Sequence, residues 1–468
     1  MDERQQLQEL TTKPVLGRIA GYARLSGPGY MQSAMTLGGG SVASCVVLGS
    51  LASYKYLWVQ PLAILLGYFV LAAIAKQTCY TEARPYKVFW ERLHPGLALI
   101  WGGSAFLATI MWHIPQYSLT ANGVVELTSA TGMNLDSTPG RVAIGAFVLL
   151  AACIIVYLYN SGTRGLRVYE NAIKILVWSI VVAFGYVAIR TGIQWDRLFT
   201  GITGIAFVQD LRAGTFDDRA IAPIVGGLAA AVGINMIFLY PYSLLNRKWG
   251  KEHKELAYFD LMSGMVIPFL IATTFMVIAV ANTIGPADDA QATAPVRDLR
   301  EIVPVLAATF GETQALLLIG FGLTAIGFST IVTHMLASGF IGCEMFGFDT
   351  NSRAKWAFSL VPAIGVIGVL IKFPWFLAIT ASTLAAPLMP ITVIGFLILL
   401  NRKTYMGDQV PAGVYRLIWN GMLIASIVIM SVAASFGLRA NWKRFQDETA
   451  KPDTEVTSVI TTIEYQKI

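Results

Sequence analysis

The stretch Gly27–Val59, GPGYMQSAMTLGGGSVASCVVLGSLASYKYLWV, is apolar enough at its centre to cross a membrane, yet it holds three successive glycines, Gly38, Gly39 and Gly40. Glycine in a helix interior costs up to about 1 kcal/mol relative to alanine, so three in a row should break the helix. The rest of the chain reads as membrane protein. Of 468 residues, 55% are hydrophobic and only 13% charged, and mean hydropathy is +0.60. A soluble protein averages about 25% charged residues. The deficit runs along the whole chain and predicts an all-α polytopic membrane protein. The polar segment Met1–Leu25 has no short apolar core with a cleavage site, and reads as an arm rather than a signal peptide. Cys45, Cys79, Cys153 and Cys343 form no C-x-x-C pair and read as apolar packing residues. The net charge of +6 is distributed by membrane topology and does not point to nucleic acid.

Eleven apolar spans are predicted: Tyr30–Leu51, Leu57–Ala75, Leu97–Gln116, Val142–Tyr159, Ala172–Ile189, Ile224–Leu245, Leu261–Ala281, Leu316–Gly342, Trp356–Ile371, Trp375–Leu400 and Leu417–Phe436. The ninth and tenth are separated mainly by Lys372, Phe373 and Pro374. Basic residues gather in alternate loops, among them Lys76, Arg84, Lys87, Arg92, Arg164, Arg167, Arg247, Lys248, Arg353, Lys355, Arg402 and Lys403. Loop 7–8 instead carries Asp288, Asp289, Asp298, Glu301 and Glu312. The positive-inside rule then places the chain in the cell membrane with its N-terminus cytoplasmic and its C-terminus outside. The expected organisation is a cytoplasmic arm (1–29), an eleven-helix transporter domain (30–436) and a flexible extracytoplasmic tail (437–468).

A broken helix survives in a membrane only where the freed backbone groups are buried in protein or line a cavity. In many secondary transporters two such helices, at matching positions of inverted repeats, build the substrate site at the midplane. With repeats of five spans, the partner of span 1 is span 6. Its sequence, VGGLAAAVGINMIFLYPYSLLNR, places Gly233, Asn235, Tyr240, Pro241, Tyr242 and Ser243 inside the membrane. Small residues alone could serve helix packing; a matched pair of breaks favours a transporter.

Several spaced motifs carry a resemblance. Gly27-Pro28-Gly29 with GGGSVAS and Tyr54-Lys55-x-Leu57-Trp58-Val59, GLRVYENAI from Gly165, AIGFSTIVTHMLASGFIGCEMFG from Ala325, and NRKTYMGD from Asn401 occur in order. Together they resemble the NRAMP family of divalent-metal transporters. The resemblance implies the LeuT-like five-plus-five inverted repeat with an eleventh transmembrane helix. It also shows what this chain lacks. The family's Asp-Pro-Gly-Asn falls at Gly38, Gly39, Gly40 and Ser41, and its span 6 Met at Asn235, followed by Met236 and Ile237. The later His of that span is Tyr242, and the acidic pair of span 3 falls at Ile110 and His113.

None of the 28 acidic residues falls in a membrane interior; Glu170, Asp260 and Glu344 come nearest. Hard divalent ions are held by carboxylates and carbonyls, and Met or His adds selectivity for softer metals. An intramembrane charge costs at least about 2.5–3.5 kcal/mol. The resemblance therefore implies a metal-cation transporter with a degenerate, carboxylate-free site, suited to a hard ion such as magnesium rather than to manganese or iron. The residues themselves suggest an alternative. Bare amides at the start of the second half of span 1 carry about half a positive charge and suit a small anion or zwitterion, such as an amino acid or carboxylate. The candidate substrate-binding residues are Gly38, Gly39, Gly40, Ser41, Asn235, Met236, Tyr242 and Ser382. His113 and His334 are either a proton relay or neutral histidines bonded between helices. An interior without acids or clustered His and Cys argues against an enzyme. No cofactor is implied; the expected partners are a small ion or solute and the lipid bilayer. The sequence carries no signal for oligomeric state.

Overall fold

Long apolar runs joined by short polar loops can be satisfied in lipid only as helices, because an open strand edge would leave amides unpaired. The computed structural model describes residues 3–286, 303–371, 378–379, 381–382 and 385–449, and among these the regular structure is helical throughout. Among the described residues nine helices are long and apolar enough to cross a membrane. Two bent pairs, Pro28–Thr36 with Gly39–Ala52 (46°) and Ala386–Leu400 with Lys403–Gln409 (71°), bring the candidate crossings among the described residues to eleven. The spans are numbered as above. The halves of span 1 are 1a (Pro28–Thr36) and 1b (Gly39–Ala52); those of span 6 are 6a (Ile221–Ala231) and 6b (Ile234–Asn246).

Several helices outrun the hydropathy pattern. Span 3 runs Pro95–Ser129 rather than stopping at Gln116, span 5 runs Thr163–Thr191, and span 8 runs Glu312–Met345. Past Gln116, Tyr117, Ser118, Thr120 and Asn122 are fully buried. They pack inside protein, where hydropathy measured against lipid is the wrong reference. Span 3 packs most extensively on span 8. Glycine permits the close approach: a Cβ at Gly320 would lie 2.8 Å from the Gly123 carbonyl oxygen.

Span 9 begins as an α-helix, Arg353–Leu360, and tightens into a 3₁₀ helix, Val361–Leu370. Side chains three apart eclipse in a 3₁₀ helix, so Gly365 and Gly368 form one flat face against span 3. A Cβ at Gly365 would stand 2.7 Å from that of His113. Span 11 continues as a helix from Gly413 to Thr449, so the first part of the expected tail, residues 437–449, is helical. Lys372, Phe373 and Pro374, the acids of loop 7–8 from Asp288 to Glu301, and the tail beyond Thr449 lie outside the described residues. All four cysteines are free; Cys45, Cys79 and Cys343 are buried.

The N-terminal arm forms two short helices, Glu3–Thr11 and Val15–Leu25, with Leu7, Leu10 and Leu25 buried. It ties one end of the bundle together; that end is called the arm face below. Arg247, at the end of span 6b, pairs with Glu3 at 2.8 Å and lies 3.5 Å from Glu170 of span 5, while also donating to the Leu25 carbonyl. Asp260 of span 7 accepts the N–H groups of Gly27 (2.9 Å) and Gly29 (2.6 Å). The Gly-Pro-Gly motif is thus the start of span 1a, capped by a carboxylate from a distant helix. At the crossing, span 7 makes a π turn over Met262–Val266, where a Cβ on Gly264 would lie 2.9 Å from the Tyr30 nitrogen.

Candidate functional site

The glycine stretch breaks the helix as its composition dictates. Span 1a ends at Thr36, Gly38 is extended (φ −78°, ψ 178°), and span 1b starts at Gly39. Span 6 is interrupted by extended Val232 and Gly233 between 6a and 6b. Spans 1b and 6a lie side by side: the Ser44 hydroxyl donates to the Pro223 carbonyl at 2.8 Å. The two breaks therefore face one another across a tight contact, where a Cβ on Gly40 would lie 2.9 Å from that of Ala230 and would run into the Trp112 ring.

The start of span 1b is not bare. Gly39 N–H donates to Oε1 of Gln116, in span 3, at 3.2 Å. This corrects the expectation of an unmasked helix terminus at Gly39, whose N–H is capped by a neutral side-chain amide from span 3. The cap leaves Gln116 Nε2 buried without a partner among the described residues. Gln116 follows His113 by three positions, which puts both on one face of span 3; that spacing was the available signal. Thr330 of span 8 supplies the other wall. Its hydroxyl donates to the Ala34 carbonyl at 2.8 Å, and lies 3.0 Å from where a Cβ on Gly38 would sit.

One helical turn beyond Thr330 comes His334, whose ring faces that of His113 with centroids 5.7 Å apart and planes at 33°. The structure thus joins two histidines 221 positions apart in sequence. Both are buried, and both nitrogens of His113 and Nδ1 of His334 have no partner among the described residues. Gln32, Ser33 and Ser41 also hold buried polar side-chain atoms without partners. Buried polar groups are ordinarily hydrogen-bonded, and a concentration of orphans marks a place for water, an ion or a ligand. Among the described residues no group of three or more His, Cys, Asp or Glu could hold a metal.

The other sequence candidates divide. The Asn235 side-chain oxygen accepts the Met236 N–H at 3.0 Å, and Met236 sulfur accepts the Gly233 N–H at 3.2 Å, so both cap the break in span 6. Ser382 is buried with its hydroxyl on the Ala378 carbonyl at 2.7 Å. Tyr242 is displaced from the expected site. Its hydroxyl accepts the Tyr86 N–H at 3.2 Å and its ring stacks on Phe238, with Phe340 beside it at 5.6 Å. It stands seven residues past Asn235, about 10 Å along the helix at 1.5 Å per residue, in an aromatic layer toward the arm face. Glu344 lies at that level and pairs with Arg84 at 2.5 Å.

The three glycines are consequently unequal. At Gly39 an added methyl group meets the Gln116 side-chain amide at 3.2 Å, which can rotate away; at Gly40 it meets an indole ring and a neighbouring helix. Gly40→Ala is expected to lower stability by about 1–3 kcal/mol through overpacking, and Gly39→Ala by less than half of that. Melting temperatures of the two variants in the same detergent measure the difference, and equal values would disprove the assigned contacts.

The family described as natural resistance-associated macrophage protein-like matches residues 29–436. A metal transporter of Populus trichocarpa, Nramp3.2, is 25% identical over 357 residues, an alignment covering 72% of this chain and 63% of that protein. A manganese transporter of Eremococcus coleocola, solved with an aromatic bis-isothiourea compound, superposes with a TM-score of 0.73 at 16% identity, over 95% of this chain and 92% of that one. MhsT, solved with L-phenylalanine, superposes with a TM-score of 0.52 at 15% identity, over 88% of this chain and 97% of that one. The broken first and sixth spans are those of the LeuT-like fold, with an eleventh helix appended. The chain belongs to the natural resistance-associated macrophage protein-like family of multi-pass membrane transporters.

Proposed function

We propose that this protein is a secondary transporter that carries a metal cation through a carboxylate-free site between the breaks of spans 1 and 6, with a hard ion such as magnesium favoured over manganese or iron(II). The carrying observation is the chemistry around the breaks: Gln116, Thr330, Asn235 and Ser41 supply oxygen, and no described carboxylate reaches them. Neutral oxygens hold a divalent ion weakly and best when it keeps part of its water shell, which magnesium does readily. Two of the proteins named above are a metal transporter and a manganese transporter, which supports a cation; the substituted ligands support a different selectivity.

The arm face is read as cytoplasmic, from the basic loops that end there. On that side the Arg247–Glu3 pair, the Asp260 cap and the aromatic layer around Tyr242 hold the helices together. Opening would swing span 1a about Leu37–Gly38, release those contacts and uncover the site from the arm side. His113 and His334, with their rings 5.7 Å apart beside the site, are the candidate proton relay.

Liposome flux tests the reading. Magnesium entry should be saturable, whereas manganese entry should show no saturable component in the low micromolar range. Internal pH followed in the same vesicles should remain flat, unless the histidine pair conducts; an acidification would then disappear in His113→Ala. High-affinity manganese uptake would overturn the proposed selectivity.

A second reading has its own observation. Gln116 Nε2 and the Ser41 hydroxyl are buried, unpartnered donors beside the start of span 1b, a place suited to the carboxylate of an amino acid or another small anion. Thermal shift with magnesium, amino acids and carboxylates separates the two, because only a ligand of the folded state raises the melting point.

A further inference from the structure

At the arm face, four helix ends, the last residues of spans 4 and 6b and the first of spans 5 and 9, surround a cavity of about 570 Å³, lined among others by Tyr159, Asn160, Thr163, Asn246, Arg353 and Lys355. Its described lining contains no Asp or Glu. Two helices start at its rim. Span 5 begins at Thr163 behind Gly162, whose φ of +94° requires glycine, and span 9 begins at Arg353 behind Ser352. Neither start has a side-chain cap; the Ser352 hydroxyl donates to the Asp349 carbonyl at 2.6 Å instead. The Lys355 N–H donates to the Ser352 carbonyl at 3.2 Å; the other first-turn amides are left available, with the positive end of each of these two helix dipoles, at one cavity.

Lys355 supplies an independent observation. It is only 4% exposed and lines the cavity, yet its ammonium has no hydrogen-bond acceptor or ion-pair partner among the described residues. The ammonium lies over the rings of Phe340 (3.9 Å) and Tyr159 (5.2 Å). Aromatic faces attract a cation but do not neutralise its charge, and an unpaired buried charge is costly. Asp349 does not line the cavity, and its carboxylate accepts the Asn351 N–H at 2.8 Å.

We infer that this cavity binds a phosphate-bearing anion, held by Lys355, Arg353 and the first-turn amides of spans 5 and 9, with asparagines and Tyr159 against its organic part. The volume exceeds what a lone phosphate fills, so the ligand is a phosphate ester. It comes from solution or is the headgroup of an anionic lipid, since basic pockets between membrane helices suit both. This inference stands apart from the transport reading, because the cavity lies at the helix ends and shares no residue with the breaks.

Full-length protein in detergent is titrated with glycerol 3-phosphate, and the same protein is reconstituted in phosphatidylcholine with or without phosphatidylglycerol. Melting temperature is followed in each case. A rise with glycerol 3-phosphate identifies a soluble ester; a rise only with phosphatidylglycerol identifies the lipid. Either response should weaken about tenfold or more in affinity in Lys355→Gln, because a charge-assisted bond is lost. Lys355→Gln removes an uncompensated cation, so its ligand-free melting point should not fall. Should that variant fail to fold, exposed Arg353→Gln serves the same test. No response to either phosphate source, or a response unchanged in both variants, overturns the inference.

Discussion

Asp260→Ala is expected to lower stability by about 3–5 kcal/mol, the range found when one partner of a buried charged interaction is removed. Its carboxylate takes two amides, those of Gly27 and Gly29, at the start of span 1a, in a fully buried position. Without it both N–H groups are orphaned at a helix terminus, and Arg247 keeps only Glu3 and Glu170 nearby. Asp260→Asn should cost less, since one acceptor oxygen remains. The loss should also favour an open arm face, because span 1a would no longer be held against span 7. Chemical or thermal denaturation of the three proteins gives the order wild type, Asn, Ala. An Ala variant within about 0.5 kcal/mol of wild type, the range of ordinary surface changes, would show that the cap does not hold span 1a.

Gly38→Asp is expected to make stability depend on metal. The new carboxylate would stand beside Thr330, with its Cβ 2.9 Å from the Met35 carbonyl and 3.0 Å from the Thr330 hydroxyl, so that hydroxyl must turn aside. An uncompensated charge there costs at least about 2.5–3.5 kcal/mol. A divalent ion held between the introduced carboxylate, Gln116 and Asn235 would offset it. Magnesium or manganese should therefore raise the variant's melting point more than that of wild type, while any anion that stabilises wild type should lose its effect. Equal metal responses in the two proteins would mean that the break is not where the ion sits. Gly38→Asp with Thr330→Ala removes the crowding by the Thr330 side chain and leaves only the Met35 carbonyl to adjust, which keeps the test informative if the single variant does not fold.

Much of the architecture was legible in the residues. Three glycines at the centre of an apolar stretch can only interrupt a helix, and the Gly233-x-Asn235 pattern five spans later repeats the signal. Both breaks occur where composition put them, because glycine's lost entropy and missing side chain act locally. The loss of carboxylates was equally legible, since it depends on identity alone. Helix lengths were not: Ser118, Thr120 and Asn122 are polar by composition but buried against protein, and only the packing of span 3 on span 8 makes them helix interior.

What the site contains was decided by tertiary structure. Nothing near Gly39 in sequence announces that Gln116, 77 positions away, caps its amide. Nothing in either histidine announces the other, and Tyr242 reads as a site residue until Tyr86 takes its hydroxyl at another depth. The sequence by itself determined that the protein is a bundle of membrane helices broken twice and stripped of acids, because hydropathy, glycine cost and charge are properties of each residue in turn. Only the tertiary structure decided which polar groups meet at the breaks and which are left without partners, because a hydrogen bond depends on the separation and angle of two groups, and chain order fixes neither across 77 or 221 residues.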